Sequence, residues 1–275
     1  MTPKAKIILK TAKNLLFVPV CASCGERLSP IPEREEGPTH GKVCFCKTCI
    51  EKWQMARAEG CPVCTNTSDK CNCTPDYFFK NQPDIPSLCF YRPESGDTPS
   101  NAIIAMKRRR DTELFDFIAL ELSQKLSSTL GKMKLEGKNC IFTWVPRKSS
   151  SIAESGFDQG RELAKRIAKI YGAKLYPLFT RVGGKEQKKL DKKSRKKNVE
   201  KAIKLNEVMN GISKLEYNSS INDFLKGKSI IIIDDVMTSG ATLIHASSLL
   251  LSAGAENAIV ACVAKSVNIK QKSKN

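Results

Sequence analysis

The chain has 275 residues, 41% apolar and 7% aromatic, enough for one substantial core with a small satellite or for two modest domains. Its 46 Lys and Arg against 28 Asp and Glu leave a net charge of +18. That excess points to polyanionic partners such as nucleic acid, phosphorylated small molecules or an anionic membrane surface, although a lysine-rich genome produces part of the same bias. No apolar run approaches the roughly 18 residues that a membrane span needs, which excludes a spanning helix.

The N-terminus, MTPKAKIILKTAKNLLFVPVCASC, sets lysines before an apolar stretch. LLFVPV is too short for a signal core and no small-residue cleavage pattern follows, so the segment reads as a basic amphipathic helix leading into a cysteine pair. The expected location is cytoplasmic, where cysteines serve as metal ligands or free thiols rather than disulfides. Composition changes near residue 90. Nine of the twelve cysteines fall between Cys21 and Cys73, in a stretch so poor in core-forming residues that it needs a staple to fold. The expected division is therefore 1–90, a helix and a cysteine-rich zinc-binding module, and 91–275, an α/β domain.

Cys21 and Cys24, Cys46 and Cys49, and Cys61 and Cys64 are each separated by two residues, with Cys71 and Cys73 close behind. That gap lets two sulfurs converge on one cation at about 2.3 Å, and two such turns complete a tetrahedral site. Cys21, Cys24, Cys46 and Cys49 form the first predicted site, with Cys44 able to replace Cys46. Cys61, Cys64, Cys71 and Cys73 offer a second. Four thiolates leave no open position, so the zinc is expected to be structural. Cys89, Cys140 and Cys262 lie in apolar contexts and read as core.

Beyond Cys89 the pattern turns to helices and strands. SNAIIAMKRRRD ends one helix, and Leu114, Ile118, Leu122 and Leu126 recur on one face of another. CIFTWVP, residues 140–146, reads as a strand. GFDQGRELAKRIAKIYGA reads as a helix with Leu163, Ile167 and Ile170 inward and Gly172 near its end. AKLYPLFTR is a second strand and IIIIDD a third, ending at its two aspartates. ATLIHASSLLLSAG is a helix closing at Gly254, and NAIVACVA a fourth strand. Alternating strands and helices predict a parallel α/β sheet.

In such a sheet, ligands bind beyond the carboxyl ends of the strands, where Asp234 and Asp235 are expected. The turn Thr238-Ser239-Gly240-Ala241-Thr242 then opens a helix. Its backbone N–H groups, the helix dipole and the hydroxyls make an anion cradle, and Gly240 permits close approach. Acceptors for hydroxyls beside donors for a phosphate suit a 5-phosphorylated ribose.

The run IIIIDDVMTSGATL resembles the phosphoribosyl-pyrophosphate signature of type I phosphoribosyltransferases, with Ser239 where a second threonine is common. The paired cysteines, IIAMKRRRD, VPRKSSSIAESGFDQGRELA and TRVGGKEQKKLDKKSRKKNV follow in an order that resembles the ComF (competence protein F) family. The resemblance implies a type I phosphoribosyltransferase-like parallel sheet flanked by helices, preceded by a small zinc module. It implies binding of phosphoribosyl pyrophosphate with Mg²⁺, and of single-stranded DNA during natural transformation alongside competence or DNA-processing proteins. Asp234 and Asp235 would hold the ribose diol and stabilise the developing oxocarbenium charge, and residues 238–242 the 5-phosphate. Arg181, Lys185, Gln187, Arg195 and Lys107 would contact pyrophosphate or DNA. The chain departs from the family in Glu154-Ser155-Gly156-Phe157-Asp158-Gln159, where an arginine and an asparagine are usual. An active transferase of nucleotide salvage and a non-catalytic zinc-dependent adaptor sensing phosphoribosyl pyrophosphate are the alternatives.

Lys185 to Lys204 contains ten Lys or Arg and three Asp or Glu. As a mobile loop of about 181–204 it would screen leaving pyrophosphate, follow a nucleic-acid backbone or simply lie solvated. Phe157 and Tyr171 are candidate base-stacking platforms with core roles as the alternative. Neither His40 nor His245 is placed as a general base.

Overall fold

A computed structural model describes residues 18–28, 44–71, 73, 78–80, 82–181, 203–206 and 220–266. The predicted N-terminal helix and most of the basic stretch, including Lys185, Gln187 and Arg195, lie outside the described residues.

Five strands form one parallel sheet in the order β1-β7-β6-β2-β3. They are β1 (Cys89–Phe90), β2 (Ile141–Trp144), β3 (Lys174–Leu175), β6 (Ser229–Met237) and β7 (Asn257–Lys265). β4 (Phe179–Arg181) and β5 (Ile203–Leu205) pair antiparallel apart from it. The predicted single strand 173–181 is thus two. Pro177 cannot donate to a ladder, so the chain leaves the main sheet there and turns into β4. β1, two residues long, carries no sequence pattern of its own.

β6 is central. Ile230, Ile231, Ile232 and Ile233 are all fully buried, the mark of a parallel strand covered on both faces. Each contributes about 2 kcal/mol over an exposed isoleucine. On one face Ile231, Ile233 and Ile259 meet Leu122 of α3 (Thr112–Lys132) and Leu163 of α5 (Gln159–Tyr171). On the other, Ile230, Ile232 and Val260 meet Leu243 and Leu250 of α7 (Ala241–Ser252).

Capping sets the helix starts. Asp111 Oδ1 accepts from Leu114 N at 3.1 Å at the head of α3, and Asp158 Oδ1 from Arg161 N at 3.2 Å at the head of α5. α5 ends at Gly172, whose φ of 66° closes the helix in the left-handed region. Ile170, expected inward, is 49% exposed. The buried face of α5 instead runs through Leu163, Ala164, Ile167 and Ala168, because small alanines let the helix sit close on the sheet.

The cysteine-rich segment packs onto the same core. α1 (Lys47–Ala58) buries Trp53, which stacks on Phe45 at 5.6 Å and meets the edge of Phe117 of α3 at 5.7 Å. Cys21, Cys44 and Cys49 belong to this cluster. No helix among the described residues is long and apolar enough to cross a membrane.

Candidate functional site

The strand order places a switch point between β2 and β6: the chain leaves β2 toward β3 on one side and β6 toward β7 on the other. Open parallel sheets bind ligands in that crevice. β2 pairs with β6 only as far as Trp144 opposite Ile233. β6 does not stop at its aspartates, as the sequence suggests, but continues to Met237, paired with β7 through Lys265. Asp234 and Asp235 therefore stand where β2 has ended and only β7 flanks the strand.

Asp235 is buried and well partnered. Its Oδ2 accepts from Gln159 Nε2 at 2.9 Å and lies 3.4 Å from Lys107 Nζ. Its Oδ1 accepts from Val236 N at 2.7 Å. Burial alone would raise its pKa, but Lys107 and the Gln159 amide outweigh burial and hold it below the usual carboxylate range. Asp234 differs. Its described hydrogen bond is from Asp235 N to Oδ1 at 2.9 Å, and no cation among the described residues pairs with it at close range. Burial, then the neighbouring Asp235 charge, push its pKa well above the ordinary value. A carboxylate so placed fits a ligand hydroxyl or a hard divalent cation, both of which bind oxygen donors.

Lys107 lies in the last turn of α2 (Thr98–Arg108), 5.4 Å from the centre of the Tyr91 ring. Arg181, at the end of β4, donates from Nη1 to Pro146 O at 2.8 Å, and the fields of Asp234 and Asp158 reach it. Both of the described predicted cations thus gather at the crevice.

The turn follows directly. Thr238 and Ser239 are exposed, Gly240 is buried with a φ of 72°, and Ala241 and Thr242 are half-buried at the head of α7. Ser239 Oγ accepts from Ala241 N at 3.4 Å. The cradle and the aspartates are joined by a single residue pair, Val236-Met237.

Two residues of VPRKSSSIAESGFDQGRELA to which no role is assigned from sequence complete the site. Gln159 reaches Asp235 across 76 residues of chain, a separation that leaves no local signal. Arg147, just after β2, donates from Nη1 to Ser155 Oγ at 3.0 Å and to Lys107 O at 3.4 Å. Its position after a predicted strand end was the available clue. The departures noted above have local roles: Ser155 receives Arg147, and Asp158 caps α5 while accepting from Trp144 Nε1 and Arg147 N at 3.2 Å each. Phe157 is buried against Phe115, and Tyr171 stacks on Phe142 and bonds to Ser127 and Ser123, so both serve the core. His245 lies in α7, its Nε2 3.2 Å from Ile203 O. A hollow of about 790 Å³ opens at the opposite end of the sheet, beside Ile141, Lys174 and Ser229; it holds neither the aspartates nor the turn.

The cysteines form two tetrads: Cys21, Cys24, Cys46 and Cys49, and Cys61, Cys64, Cys71 and Cys73, each with its ligand atoms within 4.8 Å of one another. Cys46 rather than Cys44 completes the first. Cys44 is buried in the core, where its carbonyl accepts from Ala22 N at 2.8 Å. Eight thiols gathered four by four fit two tetrahedral metal ions.

The leading turns of both tetrads are built alike. Cys21 N and Cys61 N donate to Glu26 O and Asn66 O at 2.7 and 2.8 Å, and Gly25 N and Thr65 N donate back to the same cysteines' carbonyls at 3.1 and 2.9 Å. Gly25 and Thr65 both take positive φ, 77° and 60°. A β-branched residue is strained there by about 1–3 kcal/mol. Thr65→Gly is predicted to stabilise the metal-loaded chain by up to about 1 kcal/mol after the entropy cost of glycine. Urea denaturation checks it; an unchanged or lower midpoint contradicts the strain.

Residues 158–275 match the phosphoribosyl transferase domain family, a span that includes α5, both aspartates and the turn. No curated protein matches the chain. Among solved structures, the allosteric regulatory enzyme of purine biosynthesis is 17% identical at a TM-score of 0.28, over 45% of this chain and 21% of that one. Purine phosphoribosyltransferase from Pyrococcus horikoshii Ot3 is 19% identical at 0.32, over 57% and 77%. Glutamine phosphoribosylpyrophosphate amidotransferase from B. subtilis is 14% identical at 0.34, over 72% and 32%. The chain thus spans only part of the first and third. The family match, the helix-flanked parallel sheet and the acidic strand followed by its turn make residues 158–275 a phosphoribosyltransferase-type domain.

Proposed function

We propose that this chain is a ComF-type protein that binds phosphoribosyl pyrophosphate at the crevice between β2 and β6. The observation that carries the reading is a carboxylate pair at the switch point, next to an anion-cradling turn at the head of α7. Asp234 and Asp235 hold the ribose 2′- and 3′-hydroxyls, and Thr238, Ser239, Gly240, Ala241 and Thr242 hold the 5-phosphate. Lys107, Arg147 and Arg181 supply positive charge where the pyrophosphate would lie, with Lys185, Gln187 and Arg195 expected to join from the basic stretch. Mg²⁺, to which Asp234 would offer an oxygen ligand, would neutralise charge on the leaving group. If turnover occurs, the carboxylates stabilise positive charge developing on the ribose as pyrophosphate departs.

The two cysteine tetrads bind structural zinc, and the chain divides near residue 90 into a zinc module and the transferase-type domain. In this reading the protein works in the cytoplasm during DNA uptake, with competence or DNA-processing partners, and the basic stretch 181–204 follows single-stranded DNA. The support is the order of the motifs and the net charge of +18. Affinity for single-stranded DNA is predicted to fall steeply with salt. Neutralising Lys188, Lys189, Lys192 and Lys193 together should reduce the slope of log affinity against log salt by up to about 3, at roughly 0.7 per phosphate contact. An unchanged slope removes this stretch from DNA binding.

Calorimetric titration with phosphoribosyl pyrophosphate and Mg²⁺, with pyrophosphate release assayed across nucleobases and amines, tests the whole. Saturable binding without release supports a sensing or DNA-handling role. Release with one nucleobase establishes a salvage transferase instead, and absence of binding overturns the site.

A further inference from the structure

Lys265, the last residue of β7, is 1% exposed, and its ammonium has no hydrogen-bond partner among the described residues. A buried cation is strongly destabilising unless an anion faces it. Burial lowers the pKa of its ammonium, and the acidic groups placed to oppose that are Cys262, Cys71, Asp69 and Asp84. Both carboxylates are already engaged. Asp69 accepts from Lys125 at 2.8 Å and from Thr67 at 2.7 Å, and Asp84 is bonded to Lys132 and Thr129. Cys262 belongs to neither cysteine tetrad, so no metal there would ionise it. Cys71 remains, and backbone register leads to the same place. Lys265 is the sheet partner of Phe90, so the two side chains share a face. Phe90 in turn forms a buried cluster with Cys61 and Cys71.

A divalent ion held by four thiolates is a net dianion in a region of low dielectric. We propose that Lys265 is the counter-cation of the metal site formed by Cys61, Cys64, Cys71 and Cys73, so that loading this site and burying the tip of β7 are one event. The consequence reaches the crevice. Ser266 N donates to Met237 O at 2.9 Å, which fixes β6 immediately before the phosphate-binding turn. Tyr91 N donates to Lys265 O at 2.9 Å, and the Tyr91 ring lies beneath Lys107. The metal would thereby support both the turn and the cation that holds Asp235.

The proposal rests on the reading that the second tetrad binds zinc, and the test separates the two. Full-length protein is assayed for zinc content and for zinc release to a chromogenic chelator. Two zinc ions per chain are expected, with Cys71→Ser losing one. In Lys265→Met, one of the two release phases is expected to accelerate at least about tenfold while the other, from the first tetrad, is unchanged, in line with other outer-shell substitutions. One zinc per chain, unaffected by Cys71→Ser, overturns the metal reading and the proposal with it. Two zinc ions with both release phases unchanged in Lys265→Met overturn the proposal alone. Unaltered protein supplies a second measurement should that variant not fold. Lys265 should resist acylation, read by peptide mass spectrometry, while both zinc ions are present, and react once chelation has removed both. Reactivity that is the same in both states contradicts the proposal.

Discussion

Asp235→Asn is expected to lower affinity for phosphoribosyl pyrophosphate by about a hundredfold while leaving a folded domain. The carboxylate is assigned charge-assisted bonds to ribose hydroxyls, each worth about 1.5–3 kcal/mol, and an amide keeps the shape but not the charge. It also leaves Lys107, 3.4 Å away, without its partner at the mouth of the site. Asp234→Asn should be as damaging to binding, yet its effect on stability has the opposite sign to that of an ordinary paired carboxylate. Burial and the Asp235 charge raise the folded-state pKa of Asp234, so the folded chain binds more protons here than the unfolded one. Stability from this group therefore declines as pH rises above the unfolded value. The asparagine variant should accordingly be more resistant to urea at neutral pH than the parent. Asp235, whose pKa is lowered, behaves in reverse: its contribution is present above the unfolded value and is lost as pH falls. A binding-deficient Asp234→Asn protein that is also less stable would contradict this division of labour.

Replacing Cys21 and Cys24 together by serine should remove one zinc ion and unfold the cysteine-rich segment. Structural zinc contributes on the order of 10 kcal/mol to folding small metal modules, comparable to the roughly 5–15 kcal/mol that holds an entire domain. Here the loss would propagate, because Cys21 and Cys49 lie in the same buried cluster as Trp53, Phe115 and Phe117. Exposure of Trp53, read as a red shift of its fluorescence, together with the fall in zinc content, checks this. Retention of both zinc ions and of the blue-shifted emission would exclude Cys21 and Cys24 as ligands.

How much of this was legible in the sequence follows from what the physics makes local. Four isoleucines in succession announce a strand buried on both faces, and paired cysteines two residues apart announce a metal turn, because both signals sit within a few residues. The turn after β6 was legible for the same reason. Spacing could not choose between Cys44 and Cys46, since the choice depends on which side chain the chain's path turns toward the other sulfurs. The break at Pro177 was visible as a residue but not as a change of sheet, which depends on β5 arriving from far along the chain. Ile170 satisfied a helical period yet lies outside, because close packing on a sheet favoured Ala164 and Ala168 over a branched side chain. Least legible were the partners of the aspartates. Gln159 and Lys107 meet Asp235 only through the topology of the sheet. The motifs around Lys107 and Arg181 marked those two as anion contacts but gave no sign of the aspartates, and Arg147 had no assigned role.

The most direct test is a crystal structure of the chain with phosphoribosyl pyrophosphate and Mg²⁺. The ribose hydroxyls should lie within hydrogen-bond distance of Asp234 and Asp235, with the 5-phosphate on the amides of residues 238–242. Ligand bound in the hollow at the other end of the sheet, or aspartates still turned onto their own backbone beside a vacant turn, would contradict the account.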